Sequence, residues 1–186
     1  MKGYFRSIAG VTMALWLGAV LMTGAAAAIA FPEMRELGPV LPAFAGHEPE
    51  HWSIAAGHVM LPIFGVLDYA TLALSGLAVV FTGLSIRSCA GRAGIALWLV
   101  GLIGATALGG HHALVRSPEM REDAHAYWEA AREGDEETAA RRRVEFETAH
   151  PVASNILKAE SGLLFLGVVG WSLTRTRDGE TATEAA

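Results

Sequence analysis

The sequence predicts an all-α membrane protein: a four-span transmembrane helix bundle built from two tandem helical hairpins, with a short helical insertion outside the membrane between spans three and four. Hydrophobic residues make up 52% of the 186 positions, and four uninterrupted apolar runs are each long enough to cross roughly 30 Å of hydrocarbon. The four runs fall into two similar pairs, which indicates an internal duplication.

The duplication is visible at the ends of the runs. Residues 9–17 open the first run much as residues 93–99 open the third, and both runs are followed by Pro-Glu-Met-Arg-Glu, after Phe31 and after Ser117. The second and fourth runs each start at a histidine and carry an acidic residue ten positions further on. These pairs are His58 with Asp68 and His150 with Glu160. Each hairpin therefore contributes one acidic group at a similar depth.

We expect the spans at residues 8–31, 52–86, 93–115 and 152–173. The chain is then one membrane domain over residues 1–186, with repeat 1 at about 8–86, repeat 2 at about 93–174, an extramembrane helical loop at 116–150 and a disordered tail at 175–186. The first run follows Lys2 and Arg6, as the apolar part of a cleavable signal peptide does. Because a signal peptide has no reason to share its ends with an internal helix, we expect that the first span is retained.

Charge distribution predicts the orientation and the partners. An even number of spans puts both tails and the turn at residues 87–92 on one side, and this turn holds Arg87 and Arg92 without an acidic neighbour. By the positive-inside rule we expect cytoplasmic N and C termini in a bacterial inner membrane. The net charge of -5 argues against nucleic-acid binding, so the expected partners are the lipid bilayer and a homo-oligomer or larger membrane complex. The lone Cys89 excludes an intrachain disulfide.

Local signals predict the connections and the helix contacts. Ser117 is expected to cap a helix that reaches residue 131, and a break at residues 134–135 separates it from a second helix at 136–147 whose charges form a solvated face. Glycines and alanines four apart in the third span predict close helix packing, and a glycine and alanine run in the first span predicts the same there. These residues are Gly101, Ala105 and Gly109 in span three, and Gly24 with the alanines after it in span one.

The two acidic groups mark the first candidate site. Asp68 lies roughly 15 Å along the helix from His58 and hence near mid-bilayer, where an ionisable group normally faces the bundle interior and has a partner. Lys158 is the expected ion partner of Asp68, because Lys158 and Glu160 are two apart on one helix and do not face each other. The predicted intramembrane polar site consists of Asp68, Ser154, Asn155, Lys158 and Glu160. A neutralised pair that only fixes helix packing is the alternative.

Histidines form the second candidate site. Spans two to four each bring a histidine to the same outer level: His58, His111 or His112, and His150. Three imidazoles can hold Zn or Cu, and two opposed imidazoles can ligate the iron of haem b. Simple hydrogen bonding at the membrane interface is the alternative, so the cofactor stays open. The other histidines, His47, His51 and His125, are expected in loops.

Four spans, the Phe31-Pro32 pair that closes the first, and the sequence Phe-Glu-Thr-Ala-His-Pro-Val-Ala-Ser-Asn at residues 146–155 resemble the DUF4149 or transmembrane-protein-205-like family of small four-helix membrane proteins. In that family the last helix similarly opens with Phe, then His, then Ser and Asn. The resemblance covers residues 9 to about 171 and implies four retained spans, without implying a reaction or a ligand. The charged segment at residues 132–143 departs from the family.

Three functions are compatible with these features. The one we favour is a small integral membrane protein whose polar intramembrane site moves or relays a proton, an ion or a small solute. The second is a haem- or transition-metal-binding membrane subunit that uses the outer histidines, and the third is a structural or assembly subunit of a membrane complex. No nucleophile–base pair, phosphate loop, zinc-protease motif or dinucleotide fingerprint occurs in the sequence, so a hydrolase or kinase is not expected.

Overall fold

The computed structural model describes residues 2–47 and 51–176. Nearly all of them are helical, and the rest are a pair of two-residue strands and short connecting turns. In chain order the helices and strands are α1 (Lys2–Leu37), a 3₁₀ turn (Pro42–Phe44), α2 (His51–Ser85), a 3₁₀ turn (Ile86–Ser88), β1 (Cys89–Ala90), α3 (Arg92–His111), a π turn (His112–Arg116), α4 (Ser117–Glu133), α5 (Glu136–Ser172) and β2 (Arg175–Thr176).

Four helices have the length and apolar composition needed to cross a membrane. They cover Gly3–Leu37, His51–Ser88, Arg92–Glu133 and Glu136–Ser172. Large apolar side chains such as Met22, Val66, Ile103 and Phe165 are exposed on the outside of the bundle, as expected of surfaces that face lipid. The predicted all-α four-helix bundle is confirmed, and its composition indicates an integral membrane protein.

The helices pack as two hairpins. α1 lies along α2 and α3 lies along α5, while contacts of α1 with α5 and of α2 with α3 close the bundle. One end of the bundle, which we call the terminal end, carries the start of α1, the turn between α2 and α3, and the end of α5. There β1 pairs antiparallel with β2, and the Arg6 guanidinium donates to the Trp171 carbonyl at 2.9 Å. The opposite end, which carries α4 and the first half of α5, we call the loop end.

Glycines let α3 and α5 approach closely. A Cβ atom at Gly101 would overlap the backbone of Gly167, and a Cβ at Gly167 would overlap the side chain of Met13 on α1, so neither glycine leaves room for a side chain. The predicted small-residue contact of span three therefore exists, and Gly101, Ala105 and Gly109 are all buried. The corresponding prediction for span one is wrong, because Gly24 is exposed and a Cβ there would meet nothing within 4 Å.

Prolines do not end the helices where the sequence predicts. α1 continues through Pro32 to Leu37 and stops before Gly38, whose φ of 54° is left-handed. The insertion is not separate from the spans either. α3 passes through the π turn directly into α4, and the insertion helix and span four form the single helix α5, which is 37 residues or about 55 Å long.

The break between α4 and α5 lies where the sequence predicts. Gly134, with a φ of 77°, ends α4, and the Asp135 side chain accepts a hydrogen bond from the Thr138 backbone N–H at 3.1 Å as the N-cap of α5. Hydrogen bonds from Thr138 to the ionised carboxylate lower the pKa of Asp135 from its ordinary value. The predicted charged face is also present, with Arg142 donating to Glu145 at 3.0 Å on the surface.

The loop end has its own core, which the sequence does not predict. Aromatic side chains of α4 and the 3₁₀ turn pack on α2, among them Phe44, Tyr127 and Trp128. His47 is only 2% exposed, and its ring contacts Glu136 at 2.9 Å and the Tyr127 hydroxyl at 3.1 Å. His47 thus ties the connection between α1 and α2 to the insertion.

Two of the three histidines expected in loops are helical, since His51 begins α2 and His125 lies within α4. The predicted disordered tail is wrong at its first two residues, because Arg175 and Thr176 form β2. The rest of that tail lies outside the described residues.

Candidate functional site

Asp68 is buried on α2 and is held by two residues of α4. Its side chain is 5% exposed, and Oδ2 accepts a hydrogen bond from the Ser117 hydroxyl at 2.5 Å. The Arg121 guanidinium stands 3.3 Å from the same oxygen and reaches toward solvent, since a third of it is exposed. The predicted ion pair with Lys158 is therefore wrong. Arg121 takes that place because α4 continues α3 toward the loop end instead of leaving the bundle.

The π turn explains how two residues of α4 reach Asp68. Pro118 has no N–H to donate, and its ring would clash with the carbonyl of residue 114 in a straight α-helix. The helix widens over His112–Arg116 before it continues. Ser117 and Arg121 then lie four apart on one face of α4, directed at α2. The expected capping role of Ser117 is wrong, because Ser117 makes no side-chain cap and donates to Asp68 instead.

Glu160 is fully buried where the four membrane helices meet. Its exposure is 0%, and neither carboxyl oxygen has a hydrogen-bond partner among the described residues. A Cβ added at Gly109 on α3 would stand 2.7 Å from Oε1 of Glu160 and 2.8 Å from the methyl of Thr71 on α2. Trp16 of α1 donates its indole N–H to the Thr71 hydroxyl at 3.1 Å and also lies close to the Glu160 carboxyl. An ionised carboxylate there would have no cation beside it among the described residues, which is expensive in an apolar interior.

Asp68 of α2 and Glu160 of α5 lie at neighbouring levels of the bundle. Thr71 of α2 borders Glu160, and it follows Asp68 by one helical turn. Both predicted carboxyl groups therefore face the interior of the bundle and not its lipid-facing surface. Beyond Glu160, toward the terminal end, the interior is packed with large side chains that include Trp98, Leu102 and Leu164.

A small cavity lies beside Ser117, the hydroxyl donor to Asp68. It has a volume of about 60 Å³, which is enough for water molecules, and Ser117 forms part of its wall. His112 lines it as well, is 6% exposed, and has no hydrogen-bond partner for its Nδ1 atom among the described residues. His150 and Ser154 of α5 lie on the opposite wall. The cavity thus brings His112, His150 and the hydroxyl that bonds Asp68 to the wall of one water-sized space, whose other lining is mostly apolar.

The histidines do not gather into a metal centre. His58 stacks on Trp128 with ring centroids 3.9 Å apart and bonds the Ile54 carbonyl through Nδ1, while His111 is exposed. Only His112 and His150 share the cavity wall. Within residues 2–47 and 51–176, no group of three or more histidine, cysteine or acidic side chains could hold a metal ion. The residues therefore do not fit the three-histidine Zn or Cu site.

The remaining residues of the predicted site lie on the outer side of α5. Lys158 and Asn155 are exposed and Ser154 is partly buried, whereas Glu160 faces inward. Lys158 and Ser154 border a groove between α1 and α5. The predicted site is thus divided in two: the carboxyl groups of Asp68 and Glu160 lie inside the bundle, and the other three residues lie on the outer side of α5.

Sequence reasoning missed a stripe of buried hydroxyl groups that continues from Asp68 along α2. Its members are Thr71, Ser75, Thr82 and Ser85, each 7% exposed or less. Their spacing of three, four or seven residues is the helical repeat, which was the available signal. Ser75 and Ser85 donate to carbonyls of their own helix, and a gap of roughly 10 Å at Ala78 interrupts the stripe. The stripe suits close packing of α1 against α2 better than passage of a proton.

The fold and the site define a class: an all-α, four-helix bundle long and apolar enough to span a membrane, with one paired and one unpaired carboxyl group inside. Comparison of the chain with protein-family models, with curated proteins and with solved structures finds no match. Membership of the DUF4149 family stays a hypothesis.

Proposed function

We propose that this chain is an integral membrane protein that takes up and releases a proton at Glu160 and uses that step to move a proton, an ion or a small polar solute. The observation that carries the proposal is a fully buried carboxyl group without a hydrogen-bond partner among the described residues. Such a group is stable in its neutral, proton-bound form and loses the proton when water or a cation reaches it. Intramembrane acidic residues of this kind are typical of ion pathways and proton relays.

The cavity beside Ser117 lies on the loop-end side of Asp68, and we take it as the start of the route to Glu160. In this proposal a proton passes from the exposed His150 to water in the cavity, and reaches Glu160 when the packing between Ser117 and Thr71 opens to admit water. The packing around Trp98 separates Glu160 from the terminal end, so release on that side requires the helices to move. We place the terminal end in the cytoplasm of a bacterium, on the strength of Arg87 and Arg92 in the tight turn.

Proteoliposomes with an entrapped pH indicator test the proposal. Under an imposed pH gradient and a potassium diffusion potential, we expect faster proton entry than in empty liposomes. Glu160→Gln should abolish the difference, because the amide cannot exchange a proton. Glu137→Gln, at an exposed position of α5, is the control and should retain the flux. Equal flux in the wild-type protein and Glu160→Gln would contradict the proposal.

The bonded cluster at Asp68 favours a second candidate, a structural or assembly subunit whose polar groups fix helix pairing. Asp68 joins α2 to α4 through Ser117 and Arg121, which is what a structural polar contact does in a membrane. This candidate predicts that Asp68→Asn lowers the thermal stability of the protein. It also predicts that liposomes with the wild-type protein take up protons no faster than empty liposomes. The same liposomes therefore separate the two candidates.

A further inference from the structure

A groove of about 500 Å³ runs along the outside of the bundle between α1 and α5. Its α1 wall is apolar and built largely of small residues, including Gly24, Ala27 and Ala28, and Phe31 lies near its loop end. Its α5 wall is a strip of polar residues at the helical repeat: His150, Ser154, Lys158 and Ser161. One wall thus suits a hydrocarbon chain and the other suits a polar group.

Lys158 is the unusual member of this strip. It is exposed in a span that is otherwise apolar, and α1 carries no charged residue from Ser7 to Pro32 to oppose it. The nearest acid in sequence, Glu160, faces the interior of the bundle. A lysine inside a membrane needs an anion or must reach the interface with its ammonium group.

The direction of α5 places the Lys158 ammonium toward the loop end. Side chains of an α-helix lean toward its N-terminus, which for α5 lies at the loop end. The ammonium group therefore points along the groove toward His150, eight residues earlier. The ammonium group thus lies on the loop-end side of the apolar part of the groove. This arrangement complements a molecule with an anionic head and a hydrocarbon tail.

We propose that the groove binds an anionic phospholipid of the surrounding bilayer, with its phosphate at Lys158 and one acyl chain against residues 24–28 of α1. The bound lipid would also border the buried cavity, because the groove and the cavity share Phe64, His150, Ser154 and Leu157 in their walls. The lipid site stands independently of the proton step at Glu160, since neither Lys158 nor the α1 wall of the groove takes part in that step.

Native mass spectrometry of the detergent-solubilised protein tests the proposal with phosphatidylglycerol and phosphatidylcholine of the same acyl chains. The wild-type protein should retain phosphatidylglycerol in preference to phosphatidylcholine. Lys158→Gln should reduce that preference about fivefold, the factor that roughly 1 kcal/mol per lysine gives. Lys158→Arg should keep most of it, and Arg141→Gln, which removes an exposed cation outside the groove, should leave it unchanged.

A second pair of variants tests the acyl-chain wall. Gly24→Leu should fill the groove and lower retention of phosphatidylglycerol, whereas Gly18→Leu on the same helix should not. A Cβ atom meets nothing within 4 Å at either position, so both variants are expected to fold. Equal retention of the two lipids, or no effect of Lys158→Gln, would overturn the proposal. A dimer that Gly24→Leu dissociates would also overturn it, since a second copy of the chain would then occupy the groove.

Discussion

Asp68 and Glu160 stand at matching positions of the two hairpins, and their surroundings differ. Each follows a histidine by ten residues and each is buried in the bundle. Asp68 has a hydroxyl donor and a guanidinium within 3.3 Å, whereas Glu160 has no hydrogen-bond partner among the described residues. A duplicated position can therefore keep its acidic group in both copies while only one copy stabilises the fold with it.

The repeated Pro-Glu-Met-Arg-Glu sequence explains the difference. Ser117 and Arg121, the partners of Asp68, correspond to Phe31 and Arg35 in the first hairpin. Phe31 has no hydroxyl to donate. The Arg35 guanidinium lies over the Trp52 ring at 5.7 Å, so it is engaged away from the interior. Glu160 thus lacks both of the groups that stabilise its counterpart, and for this reason we propose Glu160, and not Asp68, as the group that exchanges a proton.

The largest expected effect is the loss of stability on removing Asp68. Asp68→Ala leaves the Ser117 hydroxyl without its acceptor and Arg121 without its counter-ion, which should cost about 2–4 kcal/mol, less than for a fully dry pair because Arg121 reaches solvent. Glu160→Gln breaks no ion pair, keeps the shape of the side chain and leaves an amide oxygen that can still accept from Trp16, so it should change stability by about 1 kcal/mol or less. Thermal unfolding in detergent, followed by circular dichroism, measures both. Similar losses in the two variants would remove the distinction between the two carboxyl groups.

A smaller effect is expected at Gly109, the glycine that makes room for Glu160. In Gly109→Ala the new methyl would stand 2.7 Å from the Glu160 carboxyl and 2.8 Å from the Thr71 methyl, so we expect a loss of about 1–3 kcal/mol. Gly110→Ala is the matched control, because a Cβ there meets nothing within 4 Å. Unfolding temperatures of the two variants provide the comparison. An equally stable Gly109→Ala protein would show that Glu160 is not closely enclosed.

The smallest effects should come from the two corresponding arginines. Arg121→Gln is expected to cost about 1 kcal/mol and Arg35→Gln about 0.5 kcal/mol or less, because Arg35 only stacks on a ring at the surface. Double-mutant cycles sharpen the contrast. Arg121 should show coupling with Asp68, whereas Arg35 should show none with Glu160. Coupling of Arg35 to Glu160 would mean that the first hairpin keeps the pairing seen in the second.

Part of this organisation could be predicted from the sequence. The four apolar runs predict the bundle, and the shared motifs predict the two hairpins. The ten-residue spacing predicts the inward-facing carboxyl groups at Asp68 and Glu160. The break at residues 134–135 followed from glycine and from an N-capping aspartate. These features depend on local chemistry and on helical periodicity, which a single sequence contains.

The partners of Asp68 could not be predicted in the same way. Arg121 reads as a charge in a loop, and only the continuous helix through the π turn brings it back to α2. Lys158 was the plausible cation because it lies within an apolar run, but its side of α5 faces the groove. One signal was available: Ser117 precedes one copy of the repeated motif and Phe31 precedes the other, so only one copy offers a hydroxyl donor.

Infrared difference spectroscopy across a change of pH can assign the exchangeable proton to one of the two carboxyl groups, because the carbonyl stretching band of a carboxylic acid reports its proton. We expect a protonated-carboxyl band that shifts in heavy water, is absent from Glu160→Gln and persists in Asp68→Asn. A band that survives in Glu160→Gln and disappears in Asp68→Asn would assign the exchangeable proton to the paired carboxyl group. Glu160 would then not be the group that exchanges a proton.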